Sequence, residues 1–380
     1  MREKFVYTPG PTMLRENVKL AMAKSTTNPD LDYDFYDFYK NTCEKIGSIL
    51  NTKNPVYILS GEGILGLEAA CASLTEQHDR VLVIDNGIFG RGFDDFVKIY
   101  NGEVVYFSSS YEESIDVDEL EKFLEKDNDF KYATVVHCDT PTGVLNDISK
   151  ICPLLKKYNI LTVVDSVAGM VGEEVRVDDW KIDIALGGSQ KAISAPTGLT
   201  IVSISEDANN SIKNRKQPVT GFYCNLGIWE GYYEKKWFPY TMPINDIIAL
   251  DKAIDNILEE KIENTLYRHK KIAHATRSAI KEYGLELYLK NGYSNTVTAV
   301  KIPRDIGAIN LQKHILEKYN VLISTSLGCY ENEIIRIGHM GENAKLDYII
   351  YVLNIIDKSL KDLGFNVDKN LIDLFNKYYF

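Results

Sequence analysis

Six cysteines occur in 380 residues, at positions 43, 71, 138, 152, 224 and 329, and no two are spaced C-x-x-C. Structural zinc sites and small disulfide scaffolds depend on such spacing, so both are argued against and a reducing, cytoplasmic setting is expected. No apolar run reaches the roughly 18 residues a membrane-spanning helix needs, and no signal-peptide core follows the charged Met1-Arg2-Glu3-Lys4. Positive charge is in deficit: 43 Lys and Arg against 54 Asp and Glu leave a formal charge of −11, with no long basic run. A chain of that sign is poorly matched to nucleic acid or an anionic membrane, while a local positive pocket for a small anion stays open. Internal repeats and low-complexity tracts are also missing. Asn209-Asn210-Ser211 fits a glycosylation pattern that has no meaning without secretion.

What is present is ordinary globular composition, 45% hydrophobic and 26% charged, in a chain long enough to bury a core without metal or disulfide. At about 150 residues per domain, two or three domains are expected. Between about 55 and 205, short β-branched runs recur at Val56–Leu59, Arg80–Asp85, Glu103–Phe107, Tyr132–His137, Ile160–Asp165, Ile182–Leu186 and Leu199–Ile204. Stretches with apolar residues three and four apart lie between them: Leu65–Leu74, Val117–Leu124 and Ile148–Tyr158. Continuous apolar strands alternating with helices predict an α/β fold whose mainly parallel sheet is covered on both faces. Residues 206–244 read as loop-rich and aromatic, with Trp229 and Trp237 packing a junction or interface. Further on, Ile247–Lys281 predicts a long amphipathic helix pair, Val297–Lys301 and Glu333–Ile337 strands, and Leu311–Tyr319 and Leu346–Leu363 helices. That is a smaller α+β unit. The expected division is an N-terminal arm over 1–15, a large domain over 16–250 and a small C-terminal domain over 251–380.

Two constellations carry chemistry. Ser60-Gly61-Glu62-Gly63-Ile64-Leu65-Gly66 follows a predicted strand and opens a helix, where glycines let backbone N–H groups turn toward an anion at the helix's positive end. It also spells G-x-G-x-x-G, and Asp85 ends the next predicted strand about twenty residues on, where a dinucleotide-binding fold places its ribose carboxylate. The bland alternative is a tight turn without a ligand. The second constellation is Asp165, at the end of an apolar strand, and Lys191, in the loop Gly187-Gly188-Ser189-Gln190-Lys191 before another strand. Desolvation and nearby positive charge lower a lysine's pKa and free its amine for Schiff-base formation. A carboxylate on a neighbouring strand is what a pyridinium nitrogen requires. Taken singly, each residue reads as well as a surface lysine or a helix cap.

In order along the chain, Thr8-Pro9-Gly10-Pro11, Ser60-Gly61-Glu62-Gly63, Asn86-Gly87-Ile88-Phe89-Gly90, Thr140-Pro141-Thr142-Gly143, Val164-Asp165-Ser166-Val167-Ala168, Gly188-Ser189-Gln190-Lys191-Ala192, Thr241-Met242-Pro243 and Arg336-Ile337-Gly338 are the segments that matter. Through them the sequence resembles the class V, fold-type I pyridoxal-phosphate enzymes, most closely the alanine–glyoxylate and serine–pyruvate aminotransferases. The resemblance implies pyridoxal 5′-phosphate as cofactor, transfer of an amino group from a small amino acid (alanine or serine) to a 2-oxo acid (glyoxylate or pyruvate), and two half-reactions with ping-pong kinetics. It implies Lys191 as Schiff-base lysine and acid/base, and Asp165 as partner of the ring nitrogen. Phe89 would stack on the ring, with Val167 beside it and Thr140 donating near the ring hydroxyl or aldimine, where it would also meet the substrate. Gly61, Glu62, Gly63, Ile64 and Gln190 would surround the phosphate. Arg336 would clamp the substrate carboxylate, with Gly10 approaching it by its backbone. A homodimer is implied, with Tyr240 and Thr241 near the neighbouring subunit's cofactor. No metal ligand set is expected.

Some positions depart from the family's pattern. Glu62 stands where a small hydroxyl residue is common, and a carboxylate beside a phosphate repels it unless the side chain turns away. Ile64 replaces a frequent hydroxyl or imidazole, Phe238 cannot donate a hydrogen bond where a tyrosine often does, and Asn28–Asp34 is unusually acidic. These bear on substrate identity and cofactor affinity. Rivals on other grounds are a nicotinamide oxidoreductase using Gly61, Gly63, Gly66 and Asp85, a cysteine desulfurase or lyase using Cys329, a 2-aminoethylphosphonate aminotransferase, and a non-enzymatic binding module. His137 reads equally as cofactor neighbour or as core histidine.

Overall fold

The computed structural model describes residues 4–380. All seven predicted runs become strands of one sheet, in the spatial order Val56–Ser60, Leu199–Ile204, Ile184–Gly188, Leu161–Asp165, Tyr132–Val136, Arg80–Asp85, Glu103–Ser108. Leu199–Ile204 is antiparallel to both of its neighbours, and the other contacts are parallel. The inner strands are buried along nearly their whole length, as expected where helices cover both faces. Helices Gly63–Leu74, Val117–Leu124 and Ile148–Lys157 form where the apolar spacing placed them. Helices Tyr33–Ile49 and Ile88–Ile99 are additions to the sequence reading. The first is started by Asp32, whose side chain accepts from the Asp34 N–H.

The strand order removes the dinucleotide reading. In that fold the first two strands are neighbours. Here strands Leu199–Ile204, Ile184–Gly188, Leu161–Asp165 and Tyr132–Val136 lie between Val56–Ser60 and Arg80–Asp85. Asp85 is also fully engaged, by Arg91 at 3.1 Å, the Ser108 hydroxyl at 3.1 Å and the Tyr111 hydroxyl at 2.7 Å. Gly66 has a packing role: a Cβ there would sit 2.5 Å from Thr200 Cγ2, so its absence lets the helix lie on the sheet.

The segment 206–244 is aromatic, as read, but it holds helix Glu206–Lys213, capped by the Ser205 side chain. Trp229 is fully buried and stacks on Tyr39 at 6.2 Å, while Trp237 is 45% exposed. The predicted helix pair is Ile244–Glu260 and Ile262–Tyr283, which meet at Lys261 with φ +69°. The boundary expected at 250/251 therefore falls inside a helix, and Ile254 and Ile257 beyond it still belong to the core under the large sheet. A second core lies against an antiparallel sheet ordered Glu286–Leu287, Thr298–Lys301, Ile334–Ile337, Ser324–Thr325.

The N-terminal segment joins the two parts. Phe5–Val6 pairs in parallel with Val321–Leu322, and the Tyr7 hydroxyl donates to the Asn343 carbonyl at 2.9 Å. The Thr12 N–H then reaches the Gln190 carbonyl at 3.0 Å. Gly338 makes this route possible, because a Cβ there would lie 2.4 Å from the backbone of Thr8 and Pro9. Gly338→Ala should therefore loosen the arm and cost about 1–3 kcal/mol, as overpacking does. Calorimetry should show a lowered Tm and limited proteolysis a cleavable arm; an unchanged protein on both counts would refute this account.

Candidate active site

The parallel strands end on one side of the sheet, and the polar side chains of the site extend from those ends, as in other open α/β sheets. Asp165 closes its strand and is buried, its Oδ1 accepting the Val167 N–H at 2.8 Å. Lys191 follows the neighbouring strand by three residues. Its Nζ donates to the Pro9 carbonyl at 2.8 Å, so the arm sits directly on the amine. Gly10 (φ +91°) has no room for a side chain, since a Cβ would meet Lys191 Nζ at 2.7 Å.

A cavity of about 190 Å³ gathers most of the expected residues. Glu62, Gly63 and Ile64 come from the start of helix Gly63–Leu74, Phe89 from the start of helix Ile88–Ile99, and Thr140 from the loop after Tyr132–Val136. Asp165, Val167 and Lys191 complete the set. Gly10 and Arg336 border it without lining it. Arg336 lies on strand Ile334–Ile337 of the second sheet, its Nε donating to the Thr325 carbonyl at 2.7 Å and its Nη1 to the Thr140 carbonyl at 3.4 Å. No carboxylate pairs with it among the described residues. A part-buried guanidinium bonded only to carbonyls is suited to receiving a carboxylate.

The electrostatics follow from burial. Desolvation lowers the Lys191 pKa, with the Arg336 charge acting in the same direction and Glu62 and Asp165 opposing. Desolvation raises the Asp165 carboxyl to about 6, against the pull of the Val167 N–H and Lys191. Arg336 is pushed down to about 10 by burial. The cavity thus holds an amine with a weakened hold on its proton beside a buried carboxyl, and a neutral amine is a group that can accept a proton from carbon.

The remaining expected residues are placed otherwise. The Gly61 N–H is bonded to the Gly198 carbonyl at 2.8 Å, within the strand end. Tyr240 stacks on Tyr223 at 4.3 Å, and its hydroxyl accepts from the Ser60 N–H of its own chain at 3.2 Å. Thr241 is exposed. Gln190 is buried and donates through Nε2 to Glu62 Oε1 at 2.6 Å. The other oxygen of Glu62, Oε2, accepts the Ile64 N–H at 3.1 Å and so caps the helix. His137 bonds the Ser166 hydroxyl at 3.0 Å, is kept neutral by burial and does not line the cavity. Cys329 is exposed on a turn outside it.

Asp139 was missed in the sequence. It is fully buried, and its Oδ2 accepts the N–H groups of Phe89 at 2.8 Å and Gly90 at 3.0 Å. It holds the helix start that presents Phe89 to the cavity. The only sequence signal was an acid beside Thr140, and the partner lies fifty positions away. Cys138, also unforeseen, lines the cavity floor and donates to the Ser294 hydroxyl at 3.2 Å.

Residues 10–341 match the family described as aminotransferase class-V, and the chain belongs to that family. It is an α/β enzyme of fold type I that transfers an amino group. It is 35% identical to an uncharacterized aminotransferase of Methanocaldococcus jannaschii, over 98% of this chain and 96% of that one. It is 31% identical to a pyridoxamine–pyruvate transaminase of Mesorhizobium japonicum, over 94% of this chain and 91% of that protein. Among solved structures, the ureidoglycine–glyoxylate aminotransferase of Bacillus subtilis superposes with a TM-score of 0.95 at 27% identity, covering 100% of this chain and 98% of that one.

Asp139→Ala should leave two buried N–H groups unpaired and cost about 1–3 kcal/mol, whereas Asp139→Asn, which keeps an acceptor, should cost much less. Urea unfolding distinguishes the two, and equal losses would remove the anchoring role.

Proposed function

We propose that this aminotransferase moves an amino group from a small amino acid, alanine or serine, to a 2-oxo acid such as glyoxylate or pyruvate, through a vitamin B6 ring held on Lys191. The observation that carries the reading is a part-buried lysine amine sharing one cavity with Asp165 and Phe89, with an unpaired guanidinium at its edge. The names of the Mesorhizobium and Bacillus relatives specify pyruvate and glyoxylate as acceptors, which supports the same class of acceptor here.

Pyridoxal 5′-phosphate, the group implied by the family resemblance, suits this cavity at its ring. Phe89 and Val167 give apolar walls, Asp165 an anion for a ring nitrogen and Lys191 an amine for an aldehyde. When bound, such a ring supplies a sink for the electrons left as a Cα–H bond breaks. The phosphate end fits poorly, because the Glu62 carboxylate already caps the helix end where that anion would go.

The chain's own residues divide the remaining work. Arg336 grips the substrate carboxylate and fixes which Cα bond faces the amine, a gain of orientation. The lowered pKa of Lys191 leaves a fraction of neutral amine available to accept the α-proton and return it. The Pro9 carbonyl and the arm cover the amine from the other side. A homodimer remains the expected assembly, with exposed Thr241 the residue available to a neighbouring copy. Cytoplasmic residence is supported by six unpaired cysteines. No helix among the described residues is long and apolar enough to cross a membrane.

Lys191→Ala should lower turnover of an amino donor and glyoxylate or pyruvate by at least about 10²–10⁴-fold. Wild-type rates from that variant would overturn the assignment. Arg336→Ala should raise KM for the 2-oxo acid about 10- to 100-fold, the loss of a charge-assisted pair, with smaller change in kcat. A KM that does not move would assign the clamp elsewhere.

A further inference from the structure

The end of the cavity nearest helix Gly63–Leu74 is not built for a dianion. Glu62 folds its carboxylate onto that helix end, accepting the Ile64 N–H at 3.1 Å. Gln190 fixes it there with a 2.6 Å bond to the second oxygen. The N–H a phosphate would use is therefore already bonded to an anion. Segment Ser60–Leu65 contains no lysine or arginine to offset a second one. Among the described residues that line the cavity, Lys191 is the one cation, against two carboxylates, Glu62 and Asp165. The charge of Glu62 is felt at both Asp165 and Lys191, which places it within reach of the reacting end. The other hydrogen-bonding end of the Gln190 side chain, Oε1, is buried without any partner. Gln190 does not itself line the cavity, but the Glu62 carboxylate does, and it calls for a donor that a phosphate dianion does not have.

We propose that the ring held on Lys191 is the unphosphorylated vitamer, pyridoxal or pyridoxamine, with its 5′-hydroxyl at the Glu62 carboxylate that Gln190 holds in place, and that it enters and leaves as a substrate. The proposal rests on the reading of Lys191 given above and deepens it. A primary alcohol matches the donor set: its O–H donates to a carboxylate or amide oxygen, and its oxygen can accept a backbone N–H. Without a phosphate to anchor it, the ring is held by Lys191, Asp165 and the apolar walls alone, so exchange with solution is expected. The reaction then balances between two molecules. Pyridoxamine and a 2-oxo acid give pyridoxal and the 2-amino acid. The aminomethyl carbon is oxidised to the aldehyde as the oxo carbon is reduced to the amine, and the amino group and carbonyl oxygen change places through water. No outside oxidant is needed.

The test is a competition on the full-length protein. Equal concentrations of pyridoxal and pyridoxal 5′-phosphate are offered, the lysine adduct is trapped with borohydride, and the intact mass is read. Wild type should carry the pyridoxyl adduct in about tenfold or greater excess, and Glu62→Thr should shift the preference toward the phosphate ester by a similar factor. Pyridoxamine with pyruvate should also yield pyridoxal and alanine without added phosphate ester. A phosphopyridoxyl adduct on wild-type Lys191 in equal or greater amount overturns the proposal while leaving the Lys191 reading intact. Lack of any adduct on Lys191 overturns both. The wild-type competition decides the matter even if Glu62→Thr does not fold.

Discussion

The site turns on a single amine enclosed between two sheets. An ammonium taken out of water without a full set of partners is costly, so the protein lowers the affinity of Lys191 for its proton and gives it a carbonyl, that of Pro9, as partner. That contact requires the N-terminal segment to cross from the small sheet to the large one. Gly10 and Gly338 permit the crossing by leaving space where side chains would collide. The arm, the two sheets and the lysine loop are thus one device, and its geometry is shared among elements far apart in sequence.

Around this amine the fold arranges charge by topology. Asp165 and Lys191 come from adjacent parallel strands. Arg336 reaches the same cavity from a different sheet, tied to it through the Thr140 carbonyl. Asp139 pins the helix that carries Phe89. Burial of each group, more than any pairwise contact, sets its protonation behaviour. The Glu62 carboxylate is the exception to the general scheme of an anion-binding helix end: the chain supplies the anion itself.

The glycine-rich turn shows how a motif misleads when its strands are not neighbours. G-x-G-x-x-G followed by an acid at the right distance is satisfied here in sequence alone. The sheet order puts the acid across the molecule, where three side chains engage it. The same turn, at an edge strand beside the antiparallel Leu199–Ile204, borders the lysine cavity instead.

The sequence alone determined the alternation of strands and helices from about 55 to 205, because apolar periodicity is a local property read within ten residues. It also singled out Lys191, Asp165 and Arg336 as candidates, since their flanking segments are contiguous. The tertiary structure alone decided what those residues touch. Asp139 beneath Phe89, Pro9 on Lys191, Gln190 holding Glu62, and Tyr240 turned inward to Ser60 each join positions at least fifty apart. The second helix of the predicted pair likewise carries the chain from one core to the other, Ile262 still packing on the first and Ile272 on the second. Hydrogen bonds of this kind carry no trace in local composition, because their geometry exists only once both partners have been brought together by the packing of the whole chain.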